Sequence, residues 1–450
     1  VSEFGGGRSA PKVDKIMAIE GAVSKRHSII GFEDKILKTY VGKEAISELI
    51  KFLRKNRAHY ITLVSDENEY AALGQHVETA LLENEFKVKN IVLRGEEIGA
   101  NERYVVQVLL PADLEERVYI AVGSGTLNDI VRFVSYRTRS FFISMPTAPS
   151  VDGFAASGSS MTIMDYKQTI QARPPVAILA DLETLCNAPR ELIASGFGDM
   201  FGKFTALADW ELASLLVDEP YDAEIAARSK AALDRCVQRV DVLGQDWEED
   251  LQAVMEALIE EGICMLLMNN SRPASGSEHQ FSHFWEMRLL RENRPAIFHG
   301  TKVGLASILM AKYYEMIRGL SKDQVIDHLN KTPKYDPQHE IEKIYDGYGA
   351  EIAGSIIDTQ SRHLNMTDQQ YKELKIKIIE NWERILEVAR KVPAPAEIQT
   401  LLAKVGGATH PNSVGLTEWD TRDAIQYAMY VRKAFTVLNV CQMLGLKLVI

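Results

Sequence analysis

The stretch that decides the fold is residues 118–130, VYIAVGSGTLNDI, in which an apolar strand runs into Gly123-Ser124-Gly125 and then into a helix. Glycines let the backbone turn tightly and come close to a ligand. The helix that follows directs free N–H groups and the positive end of its dipole at the turn, which suits a phosphate. The third glycine of the dinucleotide fingerprint is absent, so an ordinary strand-to-helix turn is the alternative interpretation.

Strands and helices alternate on both sides of this turn. The sequence predicts strands over residues 59–65 (HYITLVS), 87–93 (KVKNIVL), 117–122 and 140–144, and helices over residues 69–84 and 127–136. Alternation at this spacing is typical of parallel βαβ units. The last strand signal lies at residues 176–179.

Beyond Asp181 the hydrophobic pattern is helical. It has a 3.6-residue period over residues 199–216, 222–241, 248–268, 299–317 and 369–391. Turn signals at residues 173–175 and 187–189 mark the change. We therefore predict an α/β N-terminal Rossmann-like parallel-sheet domain over residues 21–180 and an all-α C-terminal domain over residues 181–450. Residues 1–20 read as a tail or a cloning remnant, and the cleft between the two domains is the expected active site.

Composition excludes several classes of protein. Of the 450 residues, 46% are hydrophobic and 25% are charged, which is typical of a globular chain, and the net charge of -11 disfavours a nucleic-acid partner. The four cysteines form no CxxC pair, which argues against a structural zinc site or a disulfide framework and favours a reducing cytoplasm. No apolar run is long enough to predict a membrane span. A homo-oligomer, a dimer first, is the expected assembly.

Three segments place Asp or His in otherwise apolar helices. They are residues 195–210 (SGFGDMFGKFTALADW), 271–287 (SRPASGSEHQFSHFWEM) and 298–306 (FHGTKVGLA). Burial of the Asp199 carboxylate is costly unless it is paired or bound to a cation. One carboxylate with imidazoles suits a catalytic divalent metal, and spacing alone selects His279 and His283, one turn apart, as the ligand pair. The alternative is that these histidines are hydrogen-bonded core residues.

These segments, together with residues 145–160 (MPTAPSVDGFAASGSS), resemble the glycerol-1-phosphate dehydrogenases from about Lys38 to the C-terminus. That family lies in the group of iron-containing alcohol dehydrogenases, glycerol dehydrogenases and dehydroquinate synthases, so the resemblance implies a dehydroquinate synthase-like fold. It implies Asp199, His279 and His299 as metal ligands, with His283 and Asp152 beside the substrate. The positions that the resemblance assigns to the cofactor are Asp66, Gly123, Ser124, Gly125, Asp129, Thr147, Ser150 and Lys167.

The resemblance implies metal-dependent, NAD(P)H-linked reduction of dihydroxyacetone phosphate to sn-glycerol 1-phosphate, with NAD(H) or NADP(H) and one divalent ion, zinc, nickel or iron. A water or His283 would relay the proton. Asp66 ends a strand, where a carboxylate holds a ribose hydroxyl and disfavours a 2′-phosphate, or caps a helix. Lys203 and Arg272 are the candidates for the substrate phosphate, with a structural ion pair as the alternative for Lys203. Rival functions are a polyol dehydrogenase without a phosphorylated substrate, a dehydroquinate synthase-like cyclase and a non-enzymatic regulator.

Overall fold

The computed structural model describes residues 37–448 except 96, 114 and 165. The predicted N-terminal tail over residues 1–20 lies outside the described residues. The strands are β1 Lys38–Gly42, β2 Tyr60–Asp66, β3 Lys87–Leu93, β4 Val118–Val122, β5 Phe141–Met145, β6 Gly158–Ile163, β7 Tyr166–Gln171 and β8 Ala177–Asp181.

Helices follow or separate the strands, and beyond β8 the described chain consists of helices and the loops that connect them. They are α1 Ala45–Lys55, α2 Gln75–Glu83, α3 Glu102–Leu109, α4 Gly125–Arg137, α5 Leu182–Cys186, α6 Arg190–Phe201, α7 Lys203–Val217, α8 Ala223–Val240, α9 Trp247–Met268, α10 Ser277–Arg291, α11 His299–Arg318, α12 Lys322–Lys331, α13 Pro337–Tyr348, α14 Ala350–Thr359, α15 Asp368–Glu380, α16 Trp382–Arg390, α17 Pro395–Lys404, α18 Glu418–Tyr427 and α19 Val437–Leu444. Short helical turns lie at Glu67–Glu69, Tyr70–Gly74, Ser361–Leu364, Pro411–Val414 and Ala428–Tyr430.

Six strands form one parallel sheet in the order β1-β8-β5-β4-β2-β3. β4 lies in the middle of this sheet and alternates its side chains between two cores. Val118, Ile120 and Val122 pack with α1 and α2, whereas Tyr119 and Ala121 pack with α3 and α4. Both faces of β4 are buried, which explains its unbroken apolar sequence. The predicted parallel-sheet region followed by a helical region is confirmed.

Two parts of the fold were not predicted. β1 is an edge strand that pairs with β8 and leaves its side chains half-exposed, so it has no apolar run. β6 and β7 form an antiparallel hairpin outside the main sheet, built largely from polar residues. Hydrophobic periodicity carries little signal for strands of either kind.

Three of the predicted helices are interrupted in the structure. The helix expected over residues 199–216 breaks at Gly202 into α6 and α7, and the helix expected over residues 369–391 breaks at Asn381 into α15 and α16. The helix expected over residues 69–84 contains a π-helical turn at Tyr70–Gly74. In each case the backbone keeps a right-handed helical conformation at the break, so the 3.6-residue spacing of the apolar residues continues through it.

The sheet and the helices share a small core. Phe154, Ile178 and Ala180 from the sheet side pack against Met255 and Ile259 of α9. The domain boundary at residue 180 stays a prediction, because this core joins the two sides of it. Among the residues that the structure describes, no helix has the length and apolar character needed to cross a lipid bilayer.

Candidate active site

Helices α6 and α11 cross at glycines, and this crossing brings Asp199 and His299 together. A Cβ atom on Gly300 would lie 1.8 Å from the backbone oxygen of Ser195, and one on Gly198 would lie 2.4 Å from the oxygen of Gly300. Only glycine permits so close an approach of two helices. Asp199 follows Gly198 and His299 precedes Gly300, so the residues at the crossing place both side chains in one small volume.

His279, from α10, completes a group of three candidate ligands. One ligand atom each from Asp199, His279 and His299 lies within 4.8 Å of the other two. Asp199 and His279 are buried, and His299 is half-buried. Burial lowers the pKa of His279 well below its usual value and that of His299 to about 4. Both imidazoles therefore keep lone pairs at neutral pH, and the donor set fits a divalent transition-metal ion.

Glu278 fixes the orientation of the His279 ring. Its carboxylate lies 2.8 Å from Nδ1 of His279 and accepts hydrogen bonds from the Gly276 amide and the Thr205 hydroxyl. Nδ1 then carries the proton, and Nε2 faces Asp199 at 3.7 Å from Oδ1. A carboxylate behind a ligand imidazole is typical of metal sites.

Lys203 is completely buried and neutralises the carboxylates beside it. Its ammonium pairs with Asp152 and lies 3.4 Å from Oδ1 of Asp199, and it donates to the Asp199 carbonyl. Burial acts to lower the pKa of Lys203, but the charges of Asp152 and Asp199 outweigh it and raise that pKa. The ammonium is fully buried on two carboxylates, and the contact with a substrate phosphate predicted for Lys203 stays a prediction. The structural ion pair is the arrangement found.

Arg272 is likewise committed to the protein. Its Nε lies 2.8 Å from Glu219, and Nη2 donates to the carbonyl oxygens of Asp209 and Phe435. These contacts join three segments of the helical region, so the structure gives Arg272 a packing role. The phosphate contact predicted for Arg272 is not favoured, since its charge is already paired.

His283 lies beside the ligand group but outside it. Its ring centroid is 6.1 Å from that of His279 and 5.6 Å from that of His299. Nη2 of Arg432 donates to Nε2 of His283 over 2.8 Å. An arginine can only donate, so Nε2 accepts and Nδ1 carries the proton. The His279–His283 pair selected by spacing alone is therefore not the ligand pair of this geometry.

Glu286 stands one turn further along α10 with two lysines. Nζ of Lys167 lies 2.9 Å from its carboxylate, and Nζ of Lys302 lies 3.2 Å from it. Burial opposes ionisation of Glu286, but the charges of Lys167 and Lys302 hold its pKa well below the usual value. Lys167 comes from β7, so the unpredicted hairpin supplies one wall of the site.

The glycine-containing turn has the geometry of a phosphate cradle. Gly123 has φ +153°, and a Cβ there would lie 2.3 Å from Leu127, so a side chain is excluded. Ser124 is the N-cap of α4 in an extended conformation, and α4 begins at Gly125. A Cβ on Gly125 would meet Val151 at 2.8 Å. The N–H groups at the start of α4 face this turn, where the Glu69 carboxylate also lies against the Ser124 amide.

Other residues predicted to bind the cofactor surround this turn. Asp66 ends β2 and accepts a hydrogen bond from the Glu69 amide over 2.8 Å, so the helix-cap geometry is present. Asp129 pairs with Arg132 over 2.7 Å. The hydroxyl of Thr147 lies against the Glu69 carboxylate, whereas those of Ser65 and Ser144 are buried with no hydrogen-bond partner among the described residues. Buried polar atoms are rarely left without partners, so these hydroxyls fit a polar ligand.

Residues 150–152 connect the cradle to the ligand group. The Ser150 carbonyl accepts from the Ser195 hydroxyl, and the Asp152 amide donates to Oδ2 of Asp199 over 2.9 Å. Val151, between them, touches Gly125. Only one short segment thus separates the cradle from the candidate metal group.

Two kinds of functional side chain escaped sequence reasoning. Arg432 and Lys302 both reach the site; Arg432 lies outside the three segments that carry Asp199, His279 and His299, and Lys302 lies inside the third of them but was not singled out. Lys302 lies three residues after His299 on α11 and could have been found from helical spacing. Arg432 lies more than a hundred residues from the ligands in sequence, and only the tertiary fold places it.

Comparison with known proteins gives one consistent result. Residues 40–189 match the family described as iron-containing alcohol dehydrogenase. The glycerol-1-phosphate dehydrogenase [NAD(P)+] of Geobacillus stearothermophilus is 35% identical over 417 residues, covering 92% of this chain and 93% of its own. The protein of the same name from Bacillus subtilis is 39% identical over 301 residues, covering 66% of this chain and 76% of its own.

Solved structures support the same fold at lower identity. A 1,3-propanediol oxidoreductase has a TM-score of 0.58 with 15% identity, covering 91% of this chain and 96% of its own. An iron-containing alcohol dehydrogenase from Corynebacterium glutamicum has a TM-score of 0.55 with 14% identity, covering 95% and 98%. These two likenesses concern the fold alone. On the extent and identity of its match to the Geobacillus stearothermophilus relative, the chain belongs to the glycerol-1-phosphate dehydrogenase family.

Proposed function

We propose that this chain catalyses the metal-dependent, NAD(P)H-linked interconversion of dihydroxyacetone phosphate and sn-glycerol 1-phosphate. The observation that carries the proposal is the single short segment that links the phosphate cradle at Gly123–Gly125 to the group of Asp199, His279 and His299. A dinucleotide on the cradle would extend toward a substrate held at that group. The name that these relatives carry, glycerol-1-phosphate dehydrogenase [NAD(P)+], supports the same activity.

Asp199, His279 and His299 are the proposed metal ligands. A divalent cation bound there supplies positive charge to the substrate oxygen that becomes negative during reduction, while the nicotinamide supplies the hydride. The ligand set admits zinc, nickel or iron, because imidazole and carboxylate bind all three.

The remaining residues hold charge and protons in place. Lys203 pairs with the Asp152 carboxylate, and we propose that this carboxylate accepts a hydrogen bond from a substrate hydroxyl. Burial lowers the pKa of His283 well below its usual value, so the ring is neutral. Its Nδ1 lies 4.0 Å from Glu286 and has no hydrogen-bond partner among the described residues, and we propose that a water there passes the proton.

The cofactor proposal assigns the cradle to the pyrophosphate. The buried hydroxyls of Thr147, Ser65 and Ser144 border the same crevice at the carboxyl ends of the strands, which is where open parallel sheets bind ligands. Ser150, Asp129 and Lys167 are proposed to lie along the bound dinucleotide. Asp66 keeps one carboxylate oxygen free of its helix cap, which favours NADH over NADPH by repulsion of a 2′-phosphate.

The experiment is oxidation of NADH or NADPH with dihydroxyacetone phosphate, using protein stripped by a chelator and then supplied with zinc, nickel or iron. Restored oxidation, with a product that a stereospecific sn-glycerol-3-phosphate dehydrogenase does not consume, is the expected result. Activity on dihydroxyacetone alone would point instead to a polyol dehydrogenase. No net oxidation with any metal would point to a cyclase or a regulator.

A further inference from the structure

We propose that Arg432 is the residue that binds the phosphate group of the substrate and so makes the enzyme specific for a phosphorylated ketone. This inference rests on the proposed function and adds a specificity-determining residue to it. Arg432 lies between the helical turn Ala428–Tyr430 and α19, and none of the sequence motifs contains it.

Arg432 differs from the other cations near the site because it has no carboxylate partner. Each of the others pairs with a carboxylate: Lys203 with Asp152 and Asp199, Lys167 and Lys302 with Glu286, Arg272 with Glu219, and Arg132 with Asp129. Within residues 37–448 as described, no Asp or Glu oxygen lies within 4.0 Å of the Arg432 guanidinium. Among the cations named here, Arg432 is therefore the one without a carboxylate partner and is available to an anion from outside the protein.

Neutral groups hold the guanidinium in a fixed orientation. Nη1 donates to the hydroxyls of Ser275 over 2.8 Å and of Ser271 over 3.2 Å, and Nη2 donates to Nε2 of His283 over 2.8 Å. These contacts account for three of the five N–H groups, and none of them neutralises the charge. Gln360 holds the backbone at Arg432, because its side-chain amide donates to the carbonyl oxygens of Arg432 and Tyr430 over 2.8 Å each.

Burial makes the unpaired charge costly. Arg432 is half-buried by its exposed surface, and burial is the largest influence lowering its pKa, so the charged form is less well solvated than at an open surface. A guanidinium stays protonated in proteins, so the cost remains until an anion arrives. A phosphate dianion would relieve it and can accept two parallel N–H bonds from one arginine.

A single residue, His283, connects Arg432 to the candidate ligands. His283 lies between the guanidinium and the candidate ligands, with ring centroids 6.1 Å from His279 and 5.6 Å from His299. In dihydroxyacetone phosphate one methylene and one ester oxygen separate the carbonyl carbon from the phosphorus. A substrate with its carbonyl at Asp199, His279 and His299 would extend its phosphate along His283 toward Arg432.

The test compares Arg432→Met with Lys433→Met, which removes the same charge from the exposed neighbouring residue. In the metal-loaded enzyme we expect Arg432→Met to lower kcat/KM for dihydroxyacetone phosphate by at least ~30-fold, mostly through KM, because truncating one partner of a buried charge pair has effects of that size. Reduction of dihydroxyacetone should change by less than ~3-fold. Lys433→Met should leave both values unchanged.

Two further measurements separate phosphate binding from an effect through His283. Phosphite dianion should accelerate reduction of dihydroxyacetone by the wild-type enzyme and by Lys433→Met, but not by Arg432→Met. Calorimetric binding of inorganic phosphate should be lost in Arg432→Met alone, and added guanidinium ion should restore part of the activity with dihydroxyacetone phosphate.

Equal losses on both substrates, with phosphite activation retained, would overturn the proposal and make Arg432 a positioning residue for His283. Failure of the proposed function looks different, because then the wild-type enzyme itself would not turn over dihydroxyacetone phosphate with any metal. A wild-type enzyme that turns over dihydroxyacetone phosphate without a selective effect of Arg432→Met would refute only this inference.

Discussion

Replacing Gly300 by alanine should damage the metal site without touching any ligand. A Cβ at this position would lie 1.8 Å from the Ser195 carbonyl oxygen, 2.7 Å from the carbon of the same carbonyl and 2.9 Å from the Ser195 hydroxyl. Two of these are backbone atoms, so the strain cannot be relieved by turning a side chain. The crossing helices α6 and α11 must move apart, and His299, the preceding residue, moves with α11.

The magnitude follows from the size of the overlap. Inserting a methyl group into a packed interior costs about 1–3 kcal/mol. Displacing one of three ligands should weaken metal binding by at least ~1.4 kcal/mol, a tenfold change in the dissociation constant. Gly354 supplies the matched control, because it lies exposed in α14 and a Cβ there meets nothing within 4 Å. Gly354→Ala should be neutral or stabilising by up to ~1 kcal/mol from helix propensity alone.

Urea denaturation followed by circular dichroism measures the first quantity, and competition with a chromophoric chelator measures the second. Gly300→Ala should unfold at lower urea and release metal more easily, whereas Gly354→Ala should behave as the wild type or better. Metal affinity and a denaturation midpoint equal to the wild-type values in Gly300→Ala would show that the two helices can separate without moving His299, and the reasoning would fail.

Three other substitutions test the electrostatics of the molecule. Burial raises the pKa of Glu69, which lies by the Ser124 amide of the cradle, so cofactor affinity should rise as the pH falls and the carboxyl becomes neutral. Glu69→Gln should lower the KM for NADH and flatten that pH dependence, whereas a higher KM would contradict the prediction. Asp209 accepts four hydrogen bonds, two from Ser277 and one each from the Tyr314 hydroxyl and the Val437 amide. Asp209→Asn should leave about two of these buried donors unpaired and lower the free energy of unfolding in urea by ~2–6 kcal/mol. A decrease under ~1 kcal/mol would refute this prediction. Lys203→Met should lower the free energy of unfolding of the metal-free protein by ~3–5 kcal/mol, and by less when a divalent cation is present. An equal decrease in both states would show that the cation does not reach Asp199.

The sequence predicts most of the parallel sheet because β4 and its neighbours are buried on both faces. Such strands are apolar without interruption, and each is followed by a helix of ordinary length. β1 and the hairpin of β6 and β7 carry no comparable signal. β1 is half-exposed at an edge, and the hairpin is largely polar, with Met161 as its fully buried apolar side chain and Lys167 at the site.

Spacing along one helix predicts which residues share a face but not which residues meet across helices. His279 and His283 share a face of α10, yet their ring centroids are 6.1 Å apart, whereas those of His279 and His299 are 5.1 Å apart. The third partner depends on the crossing of α6 and α11, which the glycines at positions 198 and 300 permit. Both glycines are visible in the sequence, but no local sequence pattern shows that they face each other in the fold.

Local charge explains how a chain with net charge -11 could hold a phosphorylated substrate. Lys203 offsets one of the two carboxylates of Asp152 and Asp199, and Lys167 with Lys302 more than offsets Glu286. Arg432 then adds a charge with no carboxylate oxygen within 4.0 Å among the described residues, and a divalent cation at the ligand group would make the local balance more positive. The net charge of the chain therefore does not decide the local charge of the site, because the field in a partly buried cleft depends on the nearest groups. On this reasoning affinity for a phosphate dianion requires both the cation and Arg432, one at each end of the substrate, and His283 lies between them where the proton must move.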